Sequence, residues 1–295
     1  MQKALPDGII AFPAARPLDQ GSSIWPRAAI AFALLAATLG ALFSDAAFSM
    51  ASIWFGSSVY HHCAIAAPIS LFLILRRRDW RRSAPSADWL GVLFIVFAGA
   101  LLFASRASGI SIIGHAALVV ALIGAVVAIF GRDLSRRWAF PLGFLFFMVP
   151  FGEEAIPLLQ QSASAAVAAM LNLTGVETLR EGFILTTSAG RFEMARSCAG
   201  LRFLLAAAMI SALVSHLAFS TLKKRAAFVA AALAVAIAAN WLRAYVIIFA
   251  ATVSGRRFGI GPEHVALGWA FYSMLIIALI ALARRMADPP RSALH

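Results

Sequence analysis

The chain has 295 residues, 62% of them hydrophobic and 13% charged, with a mean hydropathy of +0.86. A soluble domain carries about 45–50% apolar and about 25% charged residues, so this composition excludes one and fits a polytopic membrane protein. The 25 Lys and Arg against 13 Asp and Glu give a net charge of +12, but no stretch interleaves aromatic and basic residues on a polar surface, which sets nucleic-acid binding aside.

Residues 1–27 form a polar, proline-containing arm with no run of small residues suggesting a cleavage site, which predicts a cytoplasmic tail leading into an uncleaved anchor. Apolar segments follow at roughly 28–43, 58–75, 89–104, 111–130, 138–151, 199–220, 226–251 and 265–283. A perpendicular span needs about 20 residues, so the boundaries of the shorter segments are loose. Between them lie Arg76-Arg77-Arg78-Asp79-Trp80-Arg81-Arg82, the cluster at 132–137, Lys223-Lys224-Arg225 and Arg284-Arg285. Together with the arm these hold most of the positive charge; Arg106, Arg180, Arg191, Arg196, Arg256 and Arg257 fall on the other side. The basic side is expected to be the cytoplasm, and eight spans place both termini there.

The segment 152–197 breaks the pattern. Residues 155–171 are helical in composition but include Gln160, Gln161, Ser162 and Ser164. If this stretch crossed by itself, every later loop would change sides and Lys223-Lys224-Arg225 would face outward, so an interfacial or re-entrant helix on the outer side is expected. The alternation over 178–193, with Ser188-Ala189-Gly190 as a turn, predicts a β-hairpin. The expected fold is therefore all-α and polytopic, with about eight transmembrane helices, a small extracytoplasmic helix and a β-hairpin. The chain divides into the arm 1–27, a transmembrane domain 28–286 and a cytoplasmic tail 287–295.

The hairpin runs into Arg196-Ser197-Cys198-Ala199-Gly200-Leu201-Arg202, which sets a thiol between two arginines. The four-residue spacing of Cys198 and Arg202 predicts a shared helix face, and a helix start and a guanidinium both favour negative charge on the sulfur. With only Cys63 besides, the chain has neither a disulfide framework nor a metal knuckle, and no cofactor or metal is expected. Loop signs put Cys198 at the outer end of the sixth span, Asn240 and Arg243 in the outer half of the seventh, and His264 at the outer start of the eighth. An arginine within an apolar span costs at least about 2.5 kcal/mol at the helix centre, so Arg243 either faces a partner inside the protein or snorkels to the headgroups. Asn240, three residues earlier, is placed to orient the guanidinium. His264 reads as an acid/base or as an interfacial cap. A nucleophilic thiol, an acid/base and a cation for an oxyanion are what acyl transfer through a thioester requires.

These residues resemble the exosortase/archaeosortase family of membrane-embedded cysteine transpeptidases. The resemblance runs through Leu179-Arg180-Glu181-Gly182, Ser197-Cys198-Ala199-Gly200-Leu201-Arg202, Asn240-Trp241-Leu242-Arg243, and His264 with Gly268-Trp269, over roughly residues 90–285. It implies that Cys198, Arg243 and His264 are catalytic, with Arg202 and Asn240 in support. It also implies membrane-anchored protein substrates bearing a C-terminal sorting signal: a Pro-Glu-Pro-like motif, a transmembrane helix and a basic tail. The implied location is the bacterial inner membrane, beside exopolysaccharide machinery as a partner. Where the family usually has serine after the cysteine, this chain has Ala199.

Two readings from other classes stand beside the enzyme. An anion or solute transporter uses Arg202 and Arg243 as a pathway, and predicts flux that survives loss of the thiol; a noncatalytic component of exopolysaccharide assembly predicts a silent Cys198 change. A serine intramembrane protease is disfavoured by the absence of a Gly-x-Ser-x-Gly stretch. The triplet His61-His62-Cys63 is expected to pack at the outer end of the second span, and Glu153-Glu154 to lie in a solvated loop.

Overall fold

A computed structural model describes residues 20–76, 83–255 and 263–286, with side chains omitted for 20–23 and 263–267. The arm before residue 20, the basic residues at 77, 78, 81 and 82, Arg256, Arg257 and the C-terminal tail lie outside the described residues, as does the side chain of His264.

Ten helices and one small sheet are present among the described residues: α1 (Gln20–Leu42), α2 (Ser44–Gly56), α3 (Ala66–Arg76), α4 (Trp89–Ser108), α5 (Ser111–Arg137), α6 (Ala139–Phe144), α7 (Ile156–Leu173), α8 (Leu201–Ala218), α9 (Leu222–Val253) and α10 (Glu263–Met286), with β1 (Leu179–Glu181), β2 (Ile184–Thr187) and β3 (Gly190–Glu193) between α7 and α8. Six helices are long and apolar enough to cross a membrane, and up to eight spans result if two bent pairs, Ser44–Gly56 with His61–Arg76 and Ala139–Met148 with Glu153–Leu173, each count as one. The segment expected at 138–151 is thus too short to span by itself and is followed, after Pro150 and Gly152, by α7. Leu34, Phe48, Phe97 and Phe103 are all more than half exposed, as lipid-facing positions require.

The chain separates into two compact units, one comprising residues up to Phe48 with Pro68–Phe146, the other Ser49–Ala67 with the rest. The first is built on the antiparallel pair α4 and α5. Their backbones touch at Gly91, where a Cβ would lie 2.1 Å from the Ala128 nitrogen, so only glycine permits this crossing. One end of the pair is pinned by Asp88, which accepts the Leu90 amide as N-cap at 3.0 Å and takes the Arg132 guanidinium in two hydrogen bonds of 2.6 and 3.1 Å. The hydrogen bond from Arg132, aided by that from the Leu90 amide, holds the Asp88 carboxyl well below the usual carboxylate range. A carboxylate depressed in the folded state stabilises fully above its unfolded pKa of about 3.9 and stops doing so as pH falls through its folded value. Asp88→Asn should therefore lower the melting temperature in detergent at pH 7, and the difference from wild type should narrow only below about pH 4; a difference that vanishes between pH 7 and 5 would show the pair to be idle. Elsewhere in this unit Phe130 gathers Trp25, Phe32 and Trp138 at centroid distances of 5.9, 5.7 and 5.5 Å.

The second unit holds the motifs. The three-residue link between α8 and α9 makes them an antiparallel hairpin, with Thr221 as N-cap of α9 and the Arg225 side chain donating to the Phe219 carbonyl at 2.9 Å. Small residues let these helices and α10 approach: Ala207, Ala232 and Ala236 pack with Phe203, Leu275 and Leu279. The expected hairpin is present as β2 and β3, paired in antiparallel register from Ile184 with Glu193 to Thr187 with Gly190, and β1 adds a third strand on the other edge of β2. Two of the four polar residues that weaken α7 as a span, Gln160 and Ser164, turn to the segment that carries this sheet. Gln160 and Ser164 are buried; Gln160 donates to the Met194 carbonyl at 2.6 Å and Ser164 to the Gly182 carbonyl at 3.0 Å.

Candidate active site

After β3 the chain is held at Met194, whose amide donates to the Phe183 carbonyl at 2.8 Å and whose carbonyl takes Gln160. It then makes one 3-10 turn, Arg196–Cys198, closed by the Cys198 amide on the Ala195 carbonyl at 2.9 Å. Gly200 follows with φ +92°, and α8 begins only at Leu201. The expectation that Cys198 and Arg202 lie on one face of a continuous helix is therefore corrected: the thiol sits on a turn, and a left-handed residue separates it from the helix carrying Arg202.

Gly200 owes its identity to a neighbour as well as to its backbone angle. A Cβ there would lie 2.5 Å from the amide carbon of Asn240. That amide, 2% exposed, donates from Nδ2 to the Cys198 carbonyl at 3.1 Å. Its Oδ1 makes no hydrogen bond among the described residues, so Asn240 supports the turn of the thiol and does not grip the Arg243 guanidinium as its spacing suggests.

Arg243, 8% exposed, faces the interior of this unit, which decides between the two readings of an arginine in a span. Its guanidinium lies within hydrogen-bonding and charge-interaction reach of the Cys198 side chain. It also lies over the Phe203 ring, 5.9 Å from the centroid, at a range where the ring face attracts a cation. The half-buried thiol packs against the cluster of Leu171, Leu185, Met194 and Ala244, with Trp241 and Tyr245 beside it. Ser197 Oγ is 4.0 Å from the sulfur.

His264 is the second residue of α10. Gly268, one turn later on the same face, borders Arg243: a methyl group there would stand 3.7 Å from Nε and Nη2. One turn after Gly268 comes Tyr272, whose ring is 5.9 Å from that of Phe203. The sequence reading passed over Tyr272, though its eight-residue interval from His264 is the signal that finds it. Arg202 itself is exposed and donates to Ser58 Oγ.

Around this centre, Trp54 Nε1 donates to the Met148 carbonyl at 2.8 Å and the Tyr60 hydroxyl to the Phe151 carbonyl at 3.3 Å. Cys63, 1% exposed, is packed with Tyr60, Ile156, Ala199 and Leu201. Glu153 pairs with Arg196 at 3.5 Å. A cavity of about 870 Å³ opens between the sheet and the ends of α7 and α9, lined by Asn172, Glu177, Thr178, Thr187 and Thr252 among others, and Cys198 is not on its wall.

The family model described as Transmembrane exosortase (Exosortase_EpsH) matches residues 54–281. The chain belongs to the transmembrane exosortase family. No curated protein and no solved structure matches it. The matched stretch takes in every residue of the cluster, from Ser58 to Tyr272. Membership in this family and the apolar helices together make the chain a multi-pass membrane protein of the exosortase type.

Proposed function

We propose that this exosortase is a cysteine transpeptidase or endopeptidase that cleaves the C-terminal sorting signal of exported membrane-anchored proteins through a thioester. The observation that supports it is the Arg243 guanidinium, turned inward from an apolar helix onto the Cys198 side chain. The Cys198 thiolate, with His264 as imidazolium, attacks the carbonyl carbon of the scissile peptide bond. Negative charge develops on the carbonyl oxygen, and Arg243 stabilises it in surroundings that dilute its field less than water does. As the tetrahedral adduct collapses the C–N bond breaks, and the leaving nitrogen takes a proton from His264 in its imidazolium form. Neutral His264 then accepts a proton from the water or amine that attacks the thioester, and the sulfur leaves as thiolate. Asn240 and Gly200 hold the turn so that the sulfur meets the carbonyl in the same place each cycle.

The same reading puts the thiol on the extracytoplasmic face of the bacterial inner membrane. Counting each bent pair as one span keeps Lys223-Lys224-Arg225 and Arg284-Arg285 on one side, which the charge rule assigns to the cytoplasm along with both termini. Residues 28–286 then act as the catalytic transmembrane domain, with α7 as the outer part of the bent fifth span and the sheet after it on the outer side. The signal, with its Pro-Glu-Pro-like motif, transmembrane helix and basic tail, is the one implied by the resemblance of the motifs.

The test is a trap. A reporter ending in such a signal is co-expressed with the exosortase, and the membrane fraction is digested and searched for an acyl adduct on Cys198 that hydroxylamine removes. The adduct is expected; a released tail fragment without any adduct on Cys198, under acid quench at short times, overturns the thioester.

A further inference from the structure

The small sheet has two edges, and they differ. Along β1 the edge is flanked by α7: Arg180 donates to Ser164 Oγ at 3.3 Å, and Asn172 donates to the Thr178 carbonyl at 3.4 Å and accepts the Thr178 amide at 2.9 Å. Along β3 no such cover is present among the described residues. The phase of the ladder fixes which groups lie there. The Met194 amide bonds the Phe183 carbonyl, and in an antiparallel pair hydrogen-bonded and non-hydrogen-bonded positions alternate. With Phe192 opposite Leu185 and Arg191 opposite Thr186, Gly190 and Phe192 bond to β2, while the main chains of Arg191 and Glu193 turn away from it. The Glu193 carbonyl is taken by the Ala195 amide at 2.9 Å. The two N–H groups and the Arg191 carbonyl have no hydrogen-bond partner among the described residues, and both residues are exposed.

This edge leads to the thiol. The Thr187 hydroxyl, at the hairpin turn, is 3.1 Å from that of Thr252 on α9, and Asn240 of the same helix holds the Cys198 carbonyl at 3.1 Å. Twelve helical residues separate those two contacts, about 18 Å, so the chain from the hairpin turn to Cys198 runs down α9 over that distance. Phe192 packs inward with Leu185, and Arg191 reaches across the exposed face to Glu181 at 3.7 Å, so neither side chain closes the edge.

We propose that the substrate segment on the N-terminal side of the scissile bond binds as an added strand on the free edge of β3, running the same way as β3, and is so delivered to Cys198. The proposal rests on the peptidase reading above. Its direction follows from that reading: the segment lies outside the membrane and the anchor after it lies within, as β3 lies outside and α8 after it enters the apolar layer. An extended chain at about 3.3 Å per residue covers the distance in about five or six residues. In a parallel pair the Arg191 N–H donates to one substrate carbonyl. The substrate residue two further on gives its N–H to the Arg191 carbonyl and accepts the Glu193 N–H. Main-chain bonds of this kind align an extended polypeptide whatever side chains it carries.

The test is cross-linking in register on the same membrane-anchored reporter, its cleaved bond located by mass spectrometry of the fragment that wild type releases. Arg191→Cys and Glu193→Cys are each made in the Cys198→Ala background, and a single cysteine is walked through the last six or so reporter residues before that bond, about the length of the edge. Oxidation by copper phenanthroline in membranes should join each enzyme cysteine to alternate reporter positions, leaving unjoined the ones whose side chains point to the other face. Passing from 191 to 193 should move the preferred position two residues toward the cleaved bond. Even cross-linking at successive positions, no shift, or a shift the other way overturns the added strand. Activity gives a second readout. Proline at an outward-facing position of an edge strand leaves the ladder intact, so Glu193→Pro removes one N–H from the edge. Tail release should be about 3- to 10-fold slower in it than in Glu193→Ala, which loses the same charge but keeps the N–H; equal rates overturn the proposal. The peptidase reading is judged apart from this: release that persists in Cys198→Ala sinks it, whereas release that requires Cys198 without alternating cross-links overturns the strand alone.

Discussion

Cys198→Ala should abolish release of the tail fragment while the protein stays in the membrane at its normal level. The thiol is half-buried at the margin of an apolar cluster, so alanine removes one sulfur and leaves Met194, Leu185 and Ala244 in contact with each other. The Asn240 anchor is on the Cys198 carbonyl and is untouched. Stability should therefore change little while turnover falls to background, because no neighbouring group supplies an equivalent nucleophile. Arg243→Lys belongs to the same experiment. Lysine keeps the charge but not the planar fork that spans from Cys198 to the Phe203 ring, and loss of an oxyanion donor costs about 100- to 1,000-fold in turnover. Pulse-chase analysis of the reporter, with the membrane fraction quantified in parallel, reads both. Unimpaired cleavage by Cys198→Ala excludes the thioester and returns Arg243 and Arg202 to the transport reading.

Gly200→Ala should be nearly as damaging without touching a reacting atom. At φ +92° an L-residue costs about 1–2 kcal/mol in backbone strain alone. The added methyl also meets the Asn240 side chain at 2.5 Å, and a buried amide held by its own hydrogen bond has nowhere to go. Either the turn shifts or Asn240 releases the Cys198 carbonyl, and in both cases the sulfur moves relative to Arg243. A misplacement of about 1 Å costs about 100-fold in rate. Asn240→Ala loses the hydrogen bond but leaves the glycine at 200 unstrained, so it should be milder. Because both substitutions break one contact, their effects should combine to less than the sum of their separate costs in free energy. Rates of tail release and of Cys198 alkylation by a membrane-impermeant maleimide, compared across the four proteins, measure this; fully additive costs would mean that Gly200 acts without Asn240.

Hydropathy and loop charge made the helices legible because a membrane imposes a long apolar run that few other structures need. The bringing together of Cys198 and Arg243 was legible for a related reason: a costly arginine in a span must find a partner, and the order of spans limited the choice. What escaped was local. The four-residue interval from Cys198 to Arg202 reads as one helix face, and Gly200 between them was passed over as a break, which Asn240, forty residues away, accompanies by filling the space a side chain there would need. Asn240 was assigned by its spacing to Arg243, but the tertiary neighbour wins over the neighbour along the helix. The polar residues of α7 were read as a defect in a span because the sheet they bond to lies beyond the helix in sequence. The strand β1 lies inside the alternating stretch 178–193 but was not separated from the hairpin, since all three of its residues are exposed and no buried position marks it as a strand of its own.

The two hydrogen bonds that fix the nucleophile's turn from outside, Gln160 to the Met194 carbonyl and Asn240 to the Cys198 carbonyl, both end on main-chain oxygen. An anchor of that kind is indifferent to what the anchored residues carry. Positions 195, 197 and 199 are then constrained chiefly by the volumes their surroundings accept, and Ala199, 2% exposed among Tyr60, Cys63 and Leu201, fills an apolar place. Heritable change in this loop can retune what approaches the sulfur while the sulfur itself stays put, which makes these three positions the natural ones to randomise when new cleavage preferences are sought.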